Sequence, residues 1–157
     1  MNLDLVMATR SLRLTKRFPS VHSAFVYRGL MQQAFVAPGC AVAITRVTER
    51  RVLVRLLGTD CGELGQDPFR ELEKSLASDN ALELFFDLHS ATAASMDVVG
   101  SWALWLRRHR ARLARVNMLT GSALIRLSAK TVQDFSELGE KARLYTDPTE
   151  FAGALHA

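Results

Sequence analysis

The segment Leu82-Glu83-Leu84-Phe85-Phe86-Asp87-Leu88 constrains this 157-residue chain more than any other. A short run this apolar reads as a strand at the centre of a sheet, covered on both faces. Helical patterns stand on either side of it. Asp67-Pro68 reads as a helix start, Asp as N-cap and Pro at the first helical position. Phe69, Leu72 and Leu76 follow at helical spacing until Ser78-Asp79-Asn80 ends the run. Residues 97–114 form the strongest helical pattern, with Val98, Trp102, Trp105, Leu106, His109 and Leu113 on one broad face.

The alternation continues to the end of the sequence. Val116 to Leu119 reads as a short strand. Ser122 caps a helix bearing Leu124, Ile125, Leu127, Ala129, Val132 and Phe135 that ends near Gly139. Ala142 to Tyr145 is a last strand, and Asp147-Pro148-Thr149-Glu150 starts a final helix with Phe151, Ala154 and Leu155. Strands alternating with helices imply a largely parallel sheet with helices packed on it. Towards the N-terminus the pattern is β-rich. Ala24–Tyr27 and Ala34–Val36 are short aromatic and β-branched runs, and Ala41–Val47 and Arg51–Leu57 flank a Thr48-Glu49-Arg50 turn. With no Pro/Ser-rich linker between them, these strands extend the same sheet. Residues 1–20 fit either weak structure or one more strand.

Charge is partitioned along the chain. Residues 1–58 balance at +7, residues 59–100 at −7, residues 101–116 at +5 and the remainder at −1, which gives the net +4. Arg107, Arg108, Arg110, Arg112 and Arg115 crowd one stretch. The split favours pairing between regions and argues against nucleic acid, which needs one contiguous basic face. Cys40 and Cys61 show no metal-ligand spacing and read as a reduced pair. No apolar run approaches a membrane span and no secretory leader is visible, so the expectation is a soluble, cytoplasmic, bacterial-type protein.

Catalytic motifs are absent: no phosphate-binding loop, dinucleotide fingerprint, nucleophile elbow or HExxH. Gly58, Gly62 and Gly65 share a loop at the wrong spacing for nucleotides and read as turn residues. His89, two residues after Asp87 at a strand end, stands where α/β folds bind ligands, but no nucleophile accompanies it. Trp102 and Trp105 at i and i+3 read as core.

The order Arg51–Gly58, a helix from Pro68, the strand Leu82–Leu88 and then Ser95-Met96-Asp97-Val98-Val99-Gly100 resembles the STAS domain family, which includes bacterial anti-sigma-factor antagonists. In that family a strand ending in an Asp-Leu-like pair leads to a loop reading roughly Met-Asp-Ser-Ser-Gly and a long helix. Asp87-Leu88 matches the strand end, Met96-Asp97 the loop start and Gly100 the glycine. The resemblance covers residues 51–157 and leaves residues 1–50 as an N-terminal β-rich extension of the same domain. It implies an α/β fold, a STAS-like mixed sheet with helices packed on it. Val98 and Val99 stand where the family carries serines. A valine has no hydroxyl to phosphorylate, so the family's serine switch is not expected here.

The resulting expectation is a non-enzymatic, STAS-like regulatory or scaffold domain that binds a protein partner and needs no cofactor or metal. Its surface is expected around the 89–97 loop and the following helix start, at His89, Ser95, Met96, Asp97, Val98, Val99, Gly100 and Ser101. Ser95 and Ser101 flank the valines but sit off register, which leaves a substitute phosphoacceptor there only as an alternative, and Asp97 is expected to be the helix N-cap. Alternatives are a small apolar ligand or lipid held near Trp102 and Trp105, nucleic acid on residues 10–17 and 107–115, and an activity centred on Asp87 and His89. The N-terminal strands offer an edge for a homo-oligomer.

Overall fold

A computed structural model describes residues 32–157. The Ala24–Tyr27 run, the basic stretch 10–17 and residues 1–20 lie outside the described residues.

Among the described residues, seven strands form one mixed sheet. Strands β1 (Gln32–Ala37), β2 (Cys40–Arg46) and β3 (Arg51–Asp60) are an antiparallel meander. Pro38-Gly39 turns the first hairpin, with Gly39 at φ +86°. β4 (Leu82–Leu88), β6 (Leu113–Thr120) and β7 (Ala142–Tyr145) then add in parallel, giving the order β1-β2-β3-β4-β6-β7. β5 (Ala91–Ala94) pairs with the far end of β3 beside β4's C-terminal end. β1 and β2 therefore belong to the same sheet as the α/β part.

β4 lies between two parallel partners and is buried on both faces. On one face Leu84 and Phe86 join Val52, Val54 and Val116 beneath helices α1 (Asp67–Leu76), α2 (Met96–His109) and α3 (Ala123–Phe135). Trp102 and Trp105 belong to this core; the Trp102 ring centroid lies 4.5 Å from Phe69 and 5.2 Å edge-on from Phe86. On the other face Phe85 meets Phe151 of α4 (Pro148–His156) edge-on at 5.6 Å. Two in-register ion pairs bracket it: Arg51–Glu83 at 3.2 Å and Arg55–Asp87 at 3.1 Å. Glu83 also accepts from the buried Asn117 amide, whose oxygen accepts from the Tyr145 hydroxyl.

Several element ends differ from the sequence expectation. α1 begins at Asp67 itself: Gln66 takes the cap position without a side-chain bond, and the Asp67 carboxylate turns to Arg70 at 3.1 Å. α2 stops at His109 rather than 114, because Arg110–Arg112 form a 3-10 turn and the buried Leu113 opens β6 opposite Leu82. α3 ends at Phe135, short of Gly139, with Glu137 following at φ +55°. β3 runs three residues past Leu57 through a bulge at Gly58. Gly58, Gly62 and Gly65 all take positive φ, as turn residues should, and at Gly58 a Cβ would also collide with the Gly39 carbonyl.

Candidate functional site

The extended end of β3 explains the local structure of the site. Gly58 to Asp60 reach beyond β4 and leave backbone groups without a partner, and Ala91–Ala94 fills that gap as β5. Four residues of the expected 89–97 loop are thus strand. At its end the Ser95 N–H donates to the Asp60 carbonyl at 2.9 Å, which fixes the chain as it enters α2.

Ser95, not Asp97, is the N-cap of α2. Its backbone is extended (φ −68°, ψ 158°) and its hydroxyl accepts from the Val98 N–H at 3.3 Å. Asp97 sits in the first turn, where its charge complements the helix dipole. The Ser101 hydroxyl donates to the Asp97 carbonyl at 2.8 Å. Met96 is 75% exposed, whereas Val98 and Val99 point inward and are buried. Gly100 is half-buried. His89 stands apart from the helix start. It is exposed, its N–H donates to Asp87 Oδ1 at 3.1 Å, and its carbonyl lies against Gly121. The other Asp87 oxygen holds Arg55, so the carboxylate serves a turn and a cross-strand pair rather than the imidazole.

A small apolar cavity of about 70 Å³ lies behind the helix start. Val42, Phe86, Val98, Trp102, Met118 and Val132 contribute to its wall. Trp105, also expected there, packs on the far side of Trp102 instead.

Arg107, Arg108 and Arg110 line one shallow surface depression beside Leu104, while Arg112 turns away from it. Arg107 and Arg110 both pair with Glu137 at 2.8 and 2.9 Å, tying the end of α2 to the end of α3, and Arg112 donates to the Ser78 carbonyl. Sequence reasoning missed a different surface. Among the described residues six large apolar side chains are exposed, and five of them (Met96, Leu104, Leu124, Leu127 and Phe135) belong to α2 and α3. Met96 and Leu104 lie two turns apart on one stripe of α2. Leu124, Leu127 and Phe135 line a stripe of α3, which packs beside α2. Of the apolar residues α3 bears, only Ile125, Ala129 and Val132 are buried.

No helix among the described residues is long and apolar enough to cross a membrane.

No protein-family profile matches the chain, and no curated protein matches it significantly in sequence. Solved structures do match. An uncharacterized protein of the DUF3478 family from Shewanella loihica, described as having a SpoIIAA-like fold, aligns with a TM-score of 0.56 at 16% identity over 74% of this chain and 94% of its own. The anti-sigma factor antagonist SpoIIAA in its unphosphorylated form aligns with a TM-score of 0.54 at 18% identity, over 74% of this chain and 97% of its own. The α/β sheet, its helices and these two alignments establish that the chain has the SpoIIAA-like, STAS-type fold.

Proposed function

We propose that this protein is a non-enzymatic regulatory or scaffold domain that acts by binding another protein through α2 and α3. One observation carries the reading: five of the six large exposed apolar side chains lie on these two neighbouring helices. Leaving them in water forgoes roughly 25 cal/mol per Å² that a partner would recover. The likeness to an anti-sigma factor antagonist supports a protein as that partner. The Ser95–Ser101 helix start borders the same surface through Met96.

A serine phospho-switch at the valine positions is not part of this proposal. Val98 and Val99 have no hydroxyl and are buried, and the Ser95 and Ser101 hydroxyls are engaged in capping and within the helix. Phosphopeptide mapping of protein purified from its native cell tests this. A stoichiometric phosphate on Ser95 or Ser101 would restore the switch. The partner surface itself is tested by comparing recovery of bound protein with wild type and with Leu104→Ser/Leu127→Ser/Phe135→Ser.

The apolar cavity favours a second reading, in which a short apolar chain or lipid tail enters between α2, α3 and the sheet. Native mass spectrometry of freshly purified protein tests it. A co-purifying apolar mass lost in Val98→Trp supports ligand binding, and bare protein in both removes it.

A further inference from the structure

We propose that Cys40, Asp60 and Glu63 form a binding site for a divalent transition cation of the zinc class. The β2–β3 hairpin sets Cys40, the first residue of β2, opposite Gly58, two residues before Asp60. The thiol and both carboxylates bring their donor atoms within 4.8 Å of one another. Zn²⁺ binds at roughly 2.3 Å to sulfur and 2.0–2.2 Å to carboxylate oxygen, so side-chain adjustment suffices to close the three on an ion, with water in the fourth position.

The surroundings suit a ligand set. The Cys40 side chain is 1% exposed and makes no hydrogen bond among the described residues, although it points at two carboxylates. Each carboxylate is oriented by a backbone N–H at 2.9 Å: Gly62 to Asp60 Oδ1, and Cys61 to Glu63 Oε2. Outer hydrogen bonds of this kind aim ligands at a metal. On metal binding the S–H bond breaks, the sulfur–metal bond forms, and one proton leaves to solvent. The thiolate selects against Mg²⁺ and Ca²⁺. An ion here would fasten the loop after β3 to β2. Through the Asp60 carbonyl and the Ser95 N–H it would also brace the cap of α2.

The test is titration of the full-length, reduced protein with CoCl₂ and ZnCl₂, followed by absorption spectroscopy and calorimetry. The expected result is a thiolate-to-cobalt charge-transfer band saturating at one ion per chain and displaced by Zn²⁺. The band should vanish in Cys40→Ser, persist in Cys61→Ser, and need at least tenfold more metal in Glu63→Gln. Because Glu63 is exposed, the last variant folds even if a Cys40 variant does not. No band in the wild type, or a band lost in Cys61→Ser but kept in Cys40→Ser, overturns the site.

Discussion

The Ser95 hydroxyl accepts a hydrogen bond from the Val98 N–H at 3.3 Å, making a small polar side chain the organiser of the start of α2, which borders the proposed partner surface. Replacing Ser95 with Ala removes the cap and should lower stability by about 1 kcal/mol, while Ser95→Asp should retain most of it. Urea unfolding of both variants checks this. An unchanged urea midpoint in Ser95→Ala would mean that the cap contributes nothing.

Gly121 lies where a Cβ would run into the His89 carbonyl. Gly121→Ala must therefore separate the end of β4 from the turn into α3, at a cost of about 1–3 kcal/mol. By contrast, Gly153→Ala in α4 meets open space and should be neutral or slightly stabilising. Thermal denaturation of the pair gives the comparison. Matching melting temperatures would contradict it.

Cys40 is buried and Cys61 exposed, so a thiol reagent at pH 8 should label Cys61 first and Cys40 only after unfolding. Burial, then the nearby carboxylates, raise the folded Cys40 thiol from an ordinary 9.0 to about 11. Between these values the unfolded chain releases a proton that the folded chain keeps. Stability from this group is accordingly full below pH 9 and lost as pH rises towards 11. Urea midpoints measured across that range should fall more steeply in wild type than in Cys40→Ala.

Val98 and Val99 stand where the resembling family carries serines, yet their side chains belong to the core. Val98→Ser should therefore destabilise the protein by roughly 1–3 kcal/mol, through the hydroxyl it buries without a provided partner. A stable Val98→Ser protein with a readily phosphorylated hydroxyl would show that the helix start is not packed in this way.

Much of the fold was legible because strong local signals agreed with the tertiary solution. The Leu82–Leu88 run predicts a doubly covered strand, and Leu84, Phe86 and Phe85 do face opposite layers. Ser122 and Asp147 cap their helices as their positions suggest. β5 was illegible because Ala91-Thr92-Ala93-Ala94 has little strand preference of its own; it pairs because β3 overhangs β4. The apolar surface was hidden for a related reason. The sequence shows which apolar residues α3 bears, but only contacts with the sheet decide that Ile125 turns inward while Leu124 and Leu127 remain outside. Cys40, Asp60 and Glu63 have no motif spacing, since it is the β2–β3 pairing that brings them together.

The central claim, that the α2–α3 surface binds a protein, is tested most directly by quantitative affinity capture from the native cell. Wild type is compared with Leu104→Ser/Leu127→Ser/Phe135→Ser, after equal thermal stability of the two is established. The account predicts a specific protein recovered in near-stoichiometric amount with wild type and reduced at least tenfold with the variant. Equal recovery of the same protein with both would contradict it.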